Sequence, residues 1–435
     1  MRRFLSFVEV FALATFAASL SAAEPALREA LQDEHAVGAE GWIYNDVARG
    51  FAEAKRTGKP LFVTFRCVPC KDCEGFDAEV AKGSEIIQQL AAEHFVPVRQ
   101  VEMKGVDLSQ FQFDHDLNWA AMFLNADGTV YARFGTQSAA GADAYNSIEG
   151  LSATMRRVLE LHKNYPANKA ELEGKRGDDK PYETALDMRG LENKEKLAGA
   201  TARNNCIHCH MIHDAEQNAA YDAGTFDEDL LWRYPLPENI GLVINPQSGV
   251  RVMKVLPDSA AQAAGLSKGD EITHVNGQAI TSIADIQWVL HGLSNDDATV
   301  TVRTRDGEQE LSLPAGWKRT DISWRGSFWS LRPKLPIWME PADEVQRKAA
   351  GVSEDEIPLL VKWINRGRAG GKAAYEAGLR EGDLVVALDG QPLRFEKSPS
   401  FVMHVKLNYD VDDALPLTVI GKNGERRQVT VQLVE

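Results

Sequence analysis

The chain has 435 residues, 44% of them hydrophobic and 26% charged, with a formal net charge of -15. At roughly 100 to 200 residues per domain, that length holds several separate cores. The acidic balance, with no long Lys/Arg block to reverse it locally, repels phosphate backbones and excludes nucleic acid as an expected partner.

The chain opens with "MRRFLSFVEVFALATFAASLSAAEP". Arg2 and Arg3 precede an apolar run from Phe4 to Leu20, and the small residues Ser21 and Ala23 lead to a cut before Glu24. This is the pattern of a secretory signal peptide over residues 1–23. Glu9 interrupts the run and leaves it short for a membrane span, and no later stretch of about 18 apolar residues follows. The mature protein is therefore expected to be exported, to a periplasm or its equivalent, with no integral span after cleavage. In that compartment thiols can stay oxidised.

Residues 24–155 read as an α/β domain. A helix from Trp42 to Arg56 leads to the turn "TGKP" and an apolar strand from Leu61 to Phe65, which runs straight into "RCVPCKDC". A helix "SEIIQQLAAEHF" follows, with Ser84 as N-cap and Ile86, Ile87, Leu90 and Phe95 as its buried face. Then come a strand "FVPVRQVEM" and a second, "AMFLN", turning at "ADG" into "TVYARFG".

Helix, Gly-Lys-Pro, hydrophobic strand and then Cys-Val-Pro-Cys-Lys is an order that resembles thioredoxin-like proteins. At such a strand-to-helix turn, free amides and the helix dipole stabilise a thiolate. Cys67 is the expected nucleophile and Cys70 the resolving thiol. The proline that this fold usually places opposite the pair is replaced by Asn118 and Trp119. Cys73, one helical turn beyond Cys70, would compete for the disulfide or complete a three-thiolate metal site.

Residues 156–236 read as a small helical region. Within it "CIHCHMIH" packs two of the chain's 5 cysteines and three of its 10 histidines into one short run. Cys206, Cys209 and His210 fit the C-x-x-C-H signature of c-type haem, with both thiols adding to the vinyl groups and His210 as axial ligand to the iron. Met188, Met211, His213 and Met253 are open choices for the sixth ligand. Zinc held by Cys206, Cys209, His210 and His213 is the alternative, although so tight a loop leaves little chain to close a tetrahedron. A second redox pair or a plain disulfide also fits.

Residues 237–316 contain "GVRVMKVLPDSAAQAAGLSKGDEITHVNGQAI", with strands, a short Ala-rich helix and Gly-Asp and Asn-Gly turns. This resembles the PDZ domains of bacterial exported proteases. "AGLSKGDEITHVNGQAI" from Ala264 lines up with "AGLREGDLVVALDGQPL" from Ala377, so a second copy is expected over 341–435. PDZ modules add an extended peptide as a strand and capture its terminal carboxylate on backbone amides. Ile240, Gly241 and Leu242 stand where that loop belongs in the first copy. In the second, "EDEIPLLVKW" brings Glu354, the Asp355-flanking acid Glu356 and Pro358 to the corresponding place, where negative charge would repel a carboxylate. Between the copies, residues 317–340 form a connector whose Trp317, Trp324 and Trp329 are expected to pack one domain on the next. No "GDSGG"-type serine motif supports a protease.

The expected fold is thus multidomain α/β plus β-rich: a thioredoxin-like α/β domain, a small helical C-x-x-C-H region and two PDZ-like α+β domains. Together these parts resemble the bacterial thioredoxin-like/PDZ (seleno)protein family of planctomycete type, and the resemblance implies thiol chemistry at "CVPCKDC". The expected activity is thiol-disulfide exchange, with haem c passing electrons, a redox partner protein, and protein C-termini recruited by the first PDZ-like domain. The alternative is a non-catalytic PDZ adaptor whose "CIHCHMIH" segment binds zinc or is structural.

Overall fold

The computed structural model describes residues 41–66, 74–199 and 205–435. The expected signal peptide and the expected thiols Cys67, Cys70 and Cys73 lie outside the described residues. The chain divides into two compact units, Met1–Thr320 and Asp321–Glu435.

The first unit is built on a five-stranded sheet. Strand β1 (Ile43–Tyr44) is followed by helix α1 (Val47–Thr57), β2 (Leu61–Arg66), α2 (Glu74–Ala78), α3 (Glu85–His94), β3 (Val96–Gln100), β4 (Trp119–Leu124), β5 (Val130–Phe134) and α4 (Ile148–Asn164). The spatial order is β1-β3-β2-β4-β5, parallel across β1, β3 and β2 and antiparallel from β2 to β4 to β5. Every residue of β2 is buried, as expected of a strand covered on both faces. Side chains alternate across the sheet. Leu61, Val63 and Phe65 enter one core cluster, whereas Phe62 enters another with Ile87 of α3 and Leu151, Met155 and Val158 of α4.

Two local features differ from expectation. The chain from Trp42 begins as the short strand β1, and α1 starts only after Asp46, whose carboxylate accepts from the Arg49 amide at 2.8 Å as N-cap. Ser84 caps α3 as expected, but Ile86 is an exposed residue, and Ala91 takes its place on the buried face.

The helical region is not a separate domain. Helix α4 runs through the expected boundary at 155/156. Beyond it, α5 (Lys194–Leu197) and α6 (His210–Ala223) belong to the first core cluster: Met188, Leu191, Leu197, Ile207, Cys209 and Ile212 pack with Val63 and Phe65 of β2. Gly190 permits that approach, since a Cβ there would meet the Ala215 carbonyl oxygen at 2.1 Å.

The same unit continues with β6 (Leu242–Ile244), β7 (Val252–Val255), α7 (Ala260–Ala263), β8 (Ile272–Val275), β9 (Gln278–Ala279), α8 (Ile283–His291), β10 (Ala298–Thr304) and β11 (Glu308–Leu313). Trp317 belongs to this core and donates its indole N–H to the Ser294 carbonyl at 2.8 Å.

The second unit repeats that succession with one helix inserted after its first strand. Strand β12 (Ile337–Pro341), α9 (Glu344–Ala350) and β13 (Leu359–Ile364) precede α10 (Ala369–Glu376), β14 (Leu384–Leu388), β15 (Gln391–Pro392), α11 (Ser398–Asn408), β16 (Ala414–Ile420) and β17 (Arg426–Gln432). The internal repeat read from "AGLREGD" is therefore real at the level of elements. Of its acidic loop, Asp355 pairs with Arg394 at 2.7 Å. Trp329 lies in this unit and is 45% exposed, whereas Trp317 belongs to the core of the first.

Candidate functional site

Strand β2 ends on Arg66, the residue before Cys67 in the chain. Its guanidinium bonds the Asp77 carboxylate at 2.5 Å, Arg99 of β3 reaches the same oxygen at 2.8 Å, and the Trp119 indole N–H donates to the other at 3.1 Å. Burial pushes the Asp77 carboxyl up, but the charges of Arg99 and Arg66 outweigh it and hold the group below its ordinary value. Trp119 thus works as a hydrogen-bond partner at the position where the fold usually has proline.

Because Asp77 titrates lower in the folded chain than in the unfolded one, its contribution to stability is complete above the unfolded carboxylate value near 4 and is lost as pH falls through the folded one. Asp77→Asn is expected to cost about 3–5 kcal/mol at pH 7, because it leaves two buried guanidinium groups short of their counter-charge. Urea unfolding at pH 7 and pH 3 checks this: the gap between the two proteins should shrink at the lower pH.

The "CIHCHMIH" segment lies on the same sheet. The Met103 amide donates to the Ile207 carbonyl at 3.1 Å, and the Cys206 thiol stands 3.8 Å from the Val101 carbonyl. Val101 follows Gln100, which is in register with Phe65 of β2. The fold therefore brings Cys206 to the end of the sheet at which β2 leads into Cys67. Cys206 and Cys209 are buried, 5% and 7% exposed.

His210 goes elsewhere. Its side chain is 41% exposed and its Nδ1 is 3.0 Å from Asp214. A c-type haem needs both sulfurs and His210 to face one macrocycle; here Cys209 packs with Ile207, Ile212 and Leu197, and Cys206 is buried beside the Val101 carbonyl. Of the expected sixth ligands, Met188 is buried in that cluster, Met211 accepts from the His208 amide at 3.4 Å, and Met253 is exposed on the PDZ-like part.

The zinc set diverges as well. His213 turns inward, with Nδ1 2.9 Å from Asp116 Oδ2. Among the described residues the donor atoms that converge are those of Asp114, Asp116 and His213, all buried. His115 lies between the two aspartates, its ring 5.4 Å from that of His213, and burial together with His213 keeps it well below the ordinary imidazole value. One turn along α6, Glu216 bonds Tyr182 at 2.6 Å, Lys180 at 3.2 Å and Arg233. Burial raises Glu216, yet Arg233, His213 and Lys180 bring it well below the carboxylate range. The tripeptide "DHD" at 114–116 was the available sequence signal for this cluster: three donor-type residues in succession just ahead of a strand.

The first PDZ-like part is joined to the sheet by buried polar contacts. The Arg133 amide of β5 donates to Asp285 Oδ1 at 3.0 Å, the Ser282 hydroxyl donates to the Arg133 carbonyl at 2.5 Å, and Thr136 bonds Gln287 at 2.7 Å. Lys175 pairs with Asp285 at 2.8 Å, and the Arg133 guanidinium lies 3.6 Å over the Trp288 ring. Ile240 and Leu242, expected to contact peptide, have their side chains in the core, and the Gly241 amide already donates to the Glu238 carbonyl at 3.0 Å. The Tyr145 hydroxyl bonds Glu238 at 3.2 Å. Among the described residues β6 pairs along one side, with β7.

Comparison with known proteins separates these parts. A thioredoxin-like family model matches residues 42–126 and a PDZ-domain model matches residues 235–313. A probable periplasmic serine endoprotease DegP-like of Marinomonas sp. is 29% identical over 165 residues, 36% of this chain and 31% of that protein. A probable periplasmic serine protease do/HhoA-like of Haemophilus influenzae is 30% identical over 151 residues, 34% of this chain and 29% of the relative. The chain thus spans about a third of the length of these curated relatives. Among solved structures, a disulphide isomerase from Xylella fastidiosa Temecula1 is 23% identical, covers 30% of this chain and 92% of its own, and has a TM-score of 0.19. The HtrA3 PDZ domain bound to a phage-derived ligand is 19% identical, covers 23% of this chain and 82% of its own, and has a TM-score of 0.18. The chain carries a thioredoxin-like domain and a PDZ domain. Among the described residues, no helix is long and apolar enough to cross a membrane.

Proposed function

We propose that this chain is an exported thiol-disulfide redox protein. Its thioredoxin-like domain exchanges disulfides through Cys67 and Cys70, and its PDZ domain takes a partner's extended C-terminal peptide along the free edge of β6. The observation that carries the reading is the thioredoxin-like match over residues 42–126, within which β2 ends on Arg66, immediately before Cys67 in the chain. A C-x-x-C turn directly after such a strand favours the Cys67 thiolate, the form that attacks a disulfide.

In the reducing direction the Cys67 thiolate attacks one sulfur of a substrate disulfide. The substrate S–S bond breaks and its other sulfur leaves as a thiolate that takes up a proton. Cys70 then attacks the mixed disulfide, releasing the second substrate thiol and leaving Cys67 and Cys70 joined. Two electrons pass from the pair to the substrate, and an external dithiol restores the pair. Export is supported by the signal-like leader and by the periplasmic relatives. Turnover of a disulfide-bonded test protein with dithiothreitol tests the reading, and an adaptor without redox activity would show none.

In this reading the buried pair Cys206 and Cys209 is reserve rather than reagent. In a Cys67→Ser/Cys70→Ser/Cys73→Ser chain, both should react with an aromatic disulfide reagent about 100-fold more slowly in buffer than in urea, because access needs local opening. Equal rates would show that the segment is open. The C-x-x-C-H spacing favours a second reading, covalent haem at Cys206 and Cys209. A Soret band that survives denaturation, in protein exported from a host with haem maturation machinery, would establish it.

A further inference from the structure

We propose that Asp114, Asp116 and His213 bind one divalent metal ion of the zinc type, between the loop before β4 and helix α6. The three side chains are buried and offer donor atoms that all lie within 4.8 Å of one another. They come from two segments far apart in sequence, as ligands of closed metal sites generally do, and not from one tight loop. The Asp116–His213 contact of 2.9 Å marks where a cation would replace a bridging proton.

His115 supplies the independent observation. It is 6% exposed, its ring stands against that of His213, and no hydrogen bond reaches its Nδ1. A buried imidazole nitrogen without a partner is costly, and beside this cluster a metal or a metal-bound water gives it one. Nitrogen and carboxylate donors suit zinc, manganese or ferrous iron better than copper(I), which prefers sulfur. The carboxylates also lose part of the penalty of burial once a cation neutralises them.

This site stands apart from the thiol chemistry, and its test is independent of it. The full chain carrying Cys67→Ser, Cys70→Ser and Cys73→Ser is stripped with chelator and titrated with Co2+, followed by visible absorption and by competition with Zn2+. About one Co2+ per chain is expected, with no thiolate-to-cobalt band, and unchanged when Cys206→Ala and Cys209→Ala are added. His213→Ala and Asp114→Asn should each weaken uptake at least tenfold. If His213→Ala fails to fold by circular dichroism, Asp114→Asn, which keeps the side-chain shape, decides. No uptake, uptake indifferent to Asp114→Asn, or uptake lost with Cys206 and Cys209 would overturn the proposal.

Discussion

Replacing Cys67 with serine is expected to lower turnover of a disulfide substrate by more than about 100-fold, because a hydroxyl at neutral pH is neither ionised nor a competent attacker of sulfur. The fold should be unaffected. Cys70→Ser has a different signature: Cys67 still attacks but release fails, so a mixed disulfide with the substrate accumulates and is visible on a non-reducing gel. Cys73→Ser should leave turnover largely intact. If Cys67→Ser turns over like the parent, the exchange reading is wrong and the adaptor reading gains.

Asp285→Ala is expected to destabilise the first unit by about 3–5 kcal/mol, since it strips a buried lysine of its counter-charge. Asp285 accepts from the Arg133 amide, from the Thr281 amide at 3.0 Å and hydroxyl at 2.6 Å, and pairs with Lys175. Lys175 is itself wholly inside, where burial pulls it below its ordinary value and Asp285 pulls it back up. The loss therefore falls on the junction between β5 and α8. Urea unfolding should show a lower midpoint, and limited proteolysis should cut between the thioredoxin-like and PDZ parts. An unchanged midpoint would mean that the junction is held by its apolar contacts alone.

The sheet was legible because its strands are compact apolar runs between turn residues: "LFVTF" appears as β2 with one residue added. The repeated Gly-Asp block likewise fixed the two β-rich parts. What stayed hidden was the surface against which each helix packs. Met188, Leu191, Leu197 and Ile212 are scattered among polar residues, so local periodicity suggests a small helical region, whereas their partners are residues of β2. The same limit applied to the site. Spacing alone grouped His213 with Cys206, Cys209 and His210, and only the tertiary fold turns it towards Asp116, 97 positions away. Trp317 and Trp329 fell together in sequence but belong to different compact units.

Whether Cys67 and Cys70 form an exchanging pair is decided by a redox titration of the native full chain against glutathione buffers, read by alkylation and mass spectrometry. A two-electron transition is expected at that pair with a midpoint between about -270 and -120 mV, the range of thiol-disulfide oxidoreductases. A disulfide that resists reduction below about -300 mV, as structural bridges do, or thiols that react only after unfolding, would contradict it.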